Sequence, residues 1–195
     1  MDILIAGVGG QGTVTLGDLI AERAAEQGLP VSVFHSRGMA HRGGRVAGEL
    51  RIGSRQGQRL GSRFSADGAD VLVGMEIGEA INSLPFLKPG GVALLLDYRY
   101  VPSVTAVKKL AYPELDQARA LFAGKTRNLH AVAGPRAPLN LFALGYLAAV
   151  LPPGLDPEGL FAPEALERII RARLKKNIEG NLLAFRQGYQ LGRSS

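Results

Sequence analysis

The chain has 195 residues, 46% hydrophobic and 21% charged, a balance typical of one globular domain that excludes disordered, collagenous and fibrous proteins. It has no cysteine, so it cannot form a disulfide, supply thiolates to an iron–sulfur cluster or use a cysteine nucleophile. The formal net charge of +6 resides in residues 37–63, which hold seven arginines and a single acid, Glu49. This local excess predicts an anionic ligand or an acidic partner surface near that segment.

Strands and helices are expected to alternate along the chain. The apolar run Ile3 to Ala6 leads into a glycine-rich turn, and a helix then runs from Thr13 until Gly28 and Pro30 end it. Further strands are expected at residues 31–34, 46–52, 69–74, 92–96 and 128–132, and further helices at residues 79–84, 114–122, 141–150, 163–176 and 178–190. This order predicts one α/β domain over residues 1–195, with a Rossmann-like, doubly wound, mostly parallel sheet and helices on both faces.

Two details of that sheet follow from local patterns. Residues 46–52 alternate between apolar and other side chains, which predicts a half-exposed strand. Residues 89–91, Pro-Gly-Gly, are expected to form a turn before the strand that starts at Val92.

No segment is expected to span a membrane. The longest nearly apolar stretch, residues 139–151, is shorter than the roughly 20 residues that cross a bilayer, which predicts a buried helix. The chain opens on an apolar strand without a basic, cleavable leader. We therefore expect a cytoplasmic protein without a membrane partner.

Three glycines between the first strand and the first helix have the spacing G-x-G-x-x-G, at Gly7, Gly9 and Gly12. In this context the backbone N–H groups and the positive end of the helix dipole face a phosphate or carboxylate. Thr13 and Thr15 are candidates for capping the helix or donating to the same anion. The alternative is a tight turn that only packs the helix against the sheet.

Two other classes of protein stay open on residue patterns alone. Arg37 ends the second strand, where NADP-binding enzymes often place an arginine, so a free-standing NADP-dependent oxidoreductase is one alternative. A nucleic-acid-binding module is the other. The basic segment has only Phe64 as an aromatic residue and carries no recognition-helix or RNA-binding signature, so we expect no nucleic-acid partner.

Two loops taken together resemble a known family. Residues 7–13 are GVGGQGT, residues 38–44 are GMAHRGG and residues 51–53 are RIG. This combination resembles the gamma subunit or domain of the 2-oxoacid:ferredoxin oxidoreductases, most closely the small (beta) subunit of indolepyruvate oxidoreductase. The resemblance extends to Asn140 and Asn181 and covers nearly the whole chain.

The resemblance implies a non-redox subunit that is inactive alone. In such enzymes a 2-oxoacid such as indolepyruvate, pyruvate or ketoisovalerate is decarboxylated on thiamine diphosphate, electrons leave through iron–sulfur clusters to ferredoxin, and the acyl group passes to coenzyme A. Thiamine diphosphate, magnesium and the clusters are then expected on a larger partner subunit, with ferredoxin as an indirect partner. Self-association into a homodimer is a further prediction.

The implied role of this chain is to bind an anion at the subunit boundary, which could be the phosphates of coenzyme A or of thiamine diphosphate, or the substrate carboxylate. No metal ligand and no catalytic residue is assigned. Valine in place of Gly9 or Gly12 is expected to clash with the anion and to lower the activity of the complex without unfolding the chain. The predicted site residues are Gly7, Gly9, Gly10, Gln11, Gly12, Thr13, Arg37, Gly38, Met39, His41, Arg42, Gly43, Gly44, Arg45 and Asn140.

Overall fold

A computed structural model describes residues 1–38, 43–54, 57–63, 65–101, 111–135, 138–156 and 158–195. Its strands are β1 (Asp2–Val8), β2 (Val31–Arg37), β3 (Arg45–Ile52), β4 (Ala69–Gly74), β5 (Leu87–Leu96) and β6 (Leu129–Val132). Its helices are α1 (Thr13–Glu26), α2 (Ile77–Ser83), α3 (Leu115–Ala123), α4 (Leu139–Val150), α5 (Pro163–Arg173) and α6 (Ile178–Arg193). A short 3₁₀ turn, Leu84–Phe86, joins α2 to β5.

The described strands form one sheet in the order β2-β3-β1-β4-β5-β6. Strands β1, β4, β5 and β6 pair in parallel, whereas β3 is antiparallel to both of its neighbours, β1 and β2. The expected mostly parallel α/β sheet is therefore confirmed. β3 alone runs against the other strands because it follows β2 directly and lies between β2 and β1.

Helices cover both faces of the sheet, as expected. One face carries the larger apolar core, in which α1, α4, α5 and α6 pack on alternate sheet residues such as Ile3, Ile5 and Val73. The opposite face packs α2 and α3 on the intervening residues, such as Leu4 and Leu72. The parallel strands are thus buried on both sides, which explains their nearly continuous apolar sequences.

Two expectations about the sheet need correction. β3 is buried rather than half-exposed, because it lies between β1 and β2 and its Glu49, 5% exposed, accepts hydrogen bonds from Arg63 at 3.1 and 3.2 Å. Residues 89–91 lie within β5 instead of forming a turn before it. There the register against β4 shifts, and Gly90 accommodates the irregularity with a left-handed φ of 78°.

The described residues include no helix that is both long enough and apolar enough to cross a membrane. The apolar stretch near residue 140 is α4, and its first nine residues are buried in the core. The prediction of a buried helix at this position is confirmed.

The half-buried His130 of β6 predicts a pH dependence of stability. Burial lowers the pKa of its imidazole, and the ring packs edge-on against Tyr146 with centroids 5.7 Å apart. Because the unfolded chain takes up this proton first, the free energy of unfolding should fall as the pH drops through the ordinary histidine value of about 6.5. Urea unfolding of the full chain between pH 8 and pH 5 measures this loss.

Replacing His130 with glutamine should remove this part of the pH dependence. The same replacement at His35, on edge strand β2, is the matched control and should leave the dependence in place. An unchanged pH profile for His130→Gln would show that other groups cause the acid sensitivity.

Candidate functional site

The carboxyl ends of the parallel strands meet at one edge of the sheet, where ligands bind in open α/β folds. β1 ends at Val8 and leads into residues 7–13, called here the glycine turn. Residues 37–45 are called here the basic loop. β2 ends and β3 begins at the same edge, so the described residues of this loop, 37–38 and 43–45, lie beside that turn. The two loops that carry the family resemblance are therefore neighbours in space.

Gln11 fastens the glycine turn to the sheet. Its side-chain oxygen accepts the N–H of Val8 at 2.8 Å, and its amide nitrogen donates to the carbonyl of Met75, after β4, at 2.6 Å. Gly7 leaves the space for this arrangement, because a Cβ there would lie 2.5 Å from the Gln11 Oε1 atom. Gly9 and Gly10 remain exposed at the top of the turn.

Gly12 is the N-cap of α1, with a left-handed φ of 78° and no side-chain cap, so neither Thr13 nor Thr15 caps this helix. Asn140, at the start of α4, lies against it: its amide Nδ2 is 3.5 Å from the Gly12 carbonyl oxygen. A Cβ at Gly12 would lie 2.5 Å from the same Nδ2 atom. The distant Asn140 therefore belongs to the same region of the molecule as the glycine turn.

The Thr13 side chain is 3% exposed, and its hydroxyl has no hydrogen-bond partner in the described part of the chain. An unsatisfied buried hydroxyl is costly unless a ligand or a water molecule completes it. The first N–H groups of α1, also unpaired within the helix, lie in the same turn. These donors fit a phosphate or carboxylate group.

One backbone hydrogen bond joins the basic loop to the glycine turn, and another joins the two ends of the basic loop. The Gly9 N–H donates to the Gly44 carbonyl at 3.0 Å, and the Gly38 N–H donates to the Arg45 carbonyl at 2.7 Å. Arg37 is exposed and makes no ion pair with any residue that the structure describes. The predicted site residues Met39, His41 and Arg42 lie outside the described residues.

A cleft of about 660 Å³ opens between the glycine turn and the basic loop. We call it the arginine cleft, because Arg37 and Arg45 line it together with Gly9, Gly12 and Thr13. The Arg45 guanidinium is 3.5 Å from the Glu79 carboxylate, and burial raises the pKa of Glu79 while Arg45 lowers it. Arg37 is therefore the arginine most available for a bound anion within this described cleft.

A second cleft of about 430 Å³ lies on the other side of the same turn. We call it the tyrosine cleft, because Tyr98 and Tyr100 line it with Pro135, Pro138 and Asn140. The Tyr100 ring borders both clefts.

Neither tyrosine was among the predicted site residues. Both follow β5 at the edge of the sheet where β1 ends. The rule that ligands bind beyond the carboxyl ends of parallel strands is the signal that could have found them.

The donors and cavities fit an anionic organic ligand better than a metal. The described residues contain no group of three or more His, Asp or Glu side chains that could hold a metal ion. The glycine turn instead offers backbone N–H groups, and Arg37 lines the same open cleft. Such a set binds phosphate or carboxylate through hydrogen bonds and charge.

Comparison with known protein families identifies the family of this chain. The sequence profile described as "Pyruvate ferredoxin/flavodoxin oxidoreductase" matches residues 2–191. The chain belongs to this family. The resemblance expected from the glycine turn and the basic loop is thereby confirmed.

Curated relatives from this oxidoreductase family match along nearly their full length. The indolepyruvate oxidoreductase subunit IorB of Archaeoglobus fulgidus is 31% identical over 200 residues, covering 97% of this chain and 94% of its own. The corresponding IorB of Methanothermobacter thermautotrophicus is 32% identical over 198 residues, covering 96% of this chain and 95% of its own.

A solved structure with the same fold is the gamma subunit of a keto/oxoacid ferredoxin oxidoreductase from Geobacter sulfurreducens. It is 22% identical with a TM-score of 0.62, and the match covers 100% of this chain and 99% of that one. A 2-oxoglutarate:ferredoxin oxidoreductase from Magnetococcus marinus, solved with 2-oxoglutarate, coenzyme A and succinyl-CoA bound, is 20% identical with a TM-score of 0.68. That match covers 100% of this chain and 31% of the Magnetococcus chain.

Membership of the family does not support the alternative of a free-standing NADP-dependent enzyme. The match runs through residues 2–191 and includes the basic loop, which has no role in an ordinary nicotinamide site. Arg37 does end β2, where an arginine for NADP would stand. In this structure its side chain borders a cleft shared with the glycine turn, which suits any phosphate or carboxylate ligand.

Proposed function

We propose that this chain is the small, non-redox subunit of a 2-oxoacid:ferredoxin oxidoreductase and that it completes an anion site at the boundary with a larger subunit. The observation that carries the proposal is the glycine turn, whose first helix N–H groups, unpaired within the helix, lie at the arginine cleft that Arg37 also lines. The names of the curated relatives support the reaction class.

The anion proposed for this site is a phosphate of coenzyme A or the carboxylate of the 2-oxoacid. Helix N–H groups and the guanidinium of Arg37 stabilise either one by charge-assisted hydrogen bonds. The fold neighbour from Magnetococcus marinus was solved with both 2-oxoglutarate and coenzyme A bound, so it supports both choices equally. Relatives named for indolepyruvate support an aryl 2-oxoacid, while others are named for ketoisovalerate and 2-oxoglutarate.

The proposed division of labour follows from the side chains that are present. Thiamine diphosphate supplies the electron sink that decarboxylation of a 2-oxoacid requires. With no cysteine in its sequence, this chain cannot supply thiolates to an iron–sulfur cluster. We place the clusters, thiamine diphosphate and magnesium on the larger subunit. This chain binds and orients an anionic group and excludes water around it.

A gentle affinity purification of the tagged chain from its own cells tests the proposal. The eluate is assayed for iron and for 2-oxoacid-dependent reduction of a viologen dye, with a panel of aryl, branched and short 2-oxoacids. A larger, iron-containing, thiamine-dependent subunit that co-purifies with activity is the expected result. Recovery of a lone, iron-free chain that binds NADPH would contradict it.

Replacing Arg37 with alanine should raise the KM of the complex for coenzyme A or for the 2-oxoacid about tenfold, because one charge-assisted contact is lost. Arg127→Ala is the matched control, since Arg127 is also exposed but precedes β6 at the opposite edge of the sheet. Unchanged KM values for both substrates in Arg37→Ala would remove this arginine from the site.

Other features of the proposal stay predictions. They are that residues 1–195 act as one gamma-type domain, that the protein is cytoplasmic, that electrons pass indirectly to ferredoxin, and that the isolated chain forms a homodimer. Size-exclusion chromatography with light scattering on the chain and on the complex measures the last of these.

A further inference from the structure

Glu76 is a completely buried carboxylate at the edge of the sheet that holds the candidate site. It follows β4 directly and makes no ion pair with any described lysine or arginine. A buried carboxylate without a cation is costly unless several hydrogen bonds stabilise its charge. The hydrogen-bond donors around Glu76 therefore identify the groups that this carboxylate holds in place.

Three donors from separate parts of the chain converge on this carboxylate. The Glu79 N–H donates to Oε2 at 2.9 Å, which caps α2. The Tyr100 N–H and the Tyr112 hydroxyl donate to Oε1 at 3.1 and 3.0 Å. Burial and the charge of Glu76 raise the pKa of the Tyr112 phenol, so this donor keeps its proton at neutral pH.

The hydrogen bond to Tyr100 connects this buried charge to the site. The Tyr100 ring is 38% exposed and forms the wall that the arginine cleft and the tyrosine cleft share. On its other side the ring packs on the basic loop so closely that a Cβ at Gly43 would lie 1.9 Å from a ring carbon. Glu76 and Gly43 thus hold the residue from opposite ends, one through its backbone and one through its ring.

We infer that Glu76 is a positioning residue for Tyr100. The Tyr100 ring, held in this position, contacts the ligand that the glycine turn binds and determines which organic group is accepted next to the anion. Because the glycine turn and Tyr100 line both clefts, an anion bound at the turn places the rest of its ligand next to the ring. The ring favours a planar or apolar group next to the anion, by stacking or edge contact. The identity of this ligand rests on the proposed function, whereas the positioning of Tyr100 does not.

Fluorine NMR of the full chain with fluorotyrosine tests the positioning without any ligand. The chain has five tyrosines, and Tyr100→Phe assigns the Tyr100 signal. Glu76→Met removes both acceptor oxygens and should shift the Tyr100 and Tyr112 signals but leave that of Tyr189 in α6. Glu76→Gln keeps one oxygen that can face Tyr100 and Tyr112, so it should restore the Tyr100 signal largely to its wild-type position.

A variant at Gly43 displaces the Tyr100 ring independently, so the test does not depend on the folding of the Glu76 variants. Gly43→Ala pushes on the ring from the basic loop and should shift the Tyr100 signal while Glu76 stays intact. If the Tyr100 signal does not move in Glu76→Met or in Gly43→Ala, the positioning role is wrong.

Steady-state kinetics of the complex tests the contact with the ligand. Tyr100→Ala should raise one KM, for coenzyme A or for the 2-oxoacid, about tenfold with kcat within about twofold, as expected for a lost aromatic contact. Glu76→Met should raise the same KM. The double variant should be no worse than Tyr100→Ala, because Glu76 acts through a ring that is no longer present.

Multiplying effects in the double variant, or a loss of kcat at unchanged KM, would overturn the inference. If Gly9→Val and Arg37→Ala abolish function while Tyr100→Ala leaves both KM values unchanged, the inference fails and the proposed function stands. If Gly9→Val and Arg37→Ala also leave the kinetics unchanged, the proposed site itself fails.

Discussion

Replacing Gly188 with alanine should lower the free energy of unfolding by about 3 kcal/mol. Gly188 lies where α6 crosses α4, and a Cβ there would lie 2.0 Å from the carbonyl oxygen of Phe142. The contact is reciprocal, since a Cβ at Gly145 of α4 would lie 1.9 Å from the carbonyl oxygen of Phe185. Both obstacles are helix backbone, which cannot move aside as a flexible side chain can, so the two helices must separate.

The expected change in the free energy of unfolding is opposite in sign to the usual effect of this replacement in a helix. In an isolated helix, alanine in place of glycine adds about 1 kcal/mol of stability. Urea unfolding of the full chain followed by circular dichroism measures the change, with Gly154→Ala as the control because nothing lies within 4 Å of a Cβ there. A stabilised or unchanged Gly188→Ala would show that the two helix backbones are not in contact.

Replacing Gly9 with valine should lower kcat/KM of the complex about a hundredfold, because the new side chain would compete for space with the anion proposed to bind at the glycine turn. The fold should tolerate the change to within about 0.5 kcal/mol, as an exposed substitution usually is. A Cβ at Gly9 meets only two backbone atoms of the basic loop, both at 3.9 Å. Activity and unfolding are measured on the same variant.

Gly12→Val is the matched comparison and should behave differently. The expectation that both glycines take valine without unfolding the chain stays a prediction, but the structure predicts a cost in stability at Gly12. Gly12 has a left-handed φ of 78°, and a Cβ there would lie 2.5 Å from Asn140, so we expect a loss of stability of about 3 kcal/mol. If Gly9→Val keeps wild-type kcat/KM, the glycine turn only packs α1 against the sheet.

Much of the fold could be predicted because it depends on short-range patterns. The alternation of apolar strands with amphipathic helices was enough to predict an α/β domain with a mostly parallel sheet. The position of β3 could not be predicted in this way. Its alternating residues suggest one solvent-facing side, but β3 lies between β1 and β2, and Arg63 covers Glu49.

Part of the candidate site could likewise be predicted from the sequence, and part could not. The glycine turn and the basic loop are recognisable from spacing, and the order of strands predicts that they meet. Tyr100 and Glu76 follow parallel strands at the edge where ligands bind, but no motif in the sequence connects the two residues. Their role depends on a hydrogen bond between residues 24 positions apart and on a ring packed against Gly43.

By itself the sequence determined the class of fold and the family and predicted the glycine turn as an anion site, because strand periodicity, turn glycines and charge act over a few residues. Only the tertiary structure decided which glycines lack room for a side chain, that Asn140 lies against Gly12, and that Tyr100 borders both clefts beside the glycine turn. These features are contacts between segments that are distant along the chain. They exist only where packing of the sheet brings the ends of its strands together.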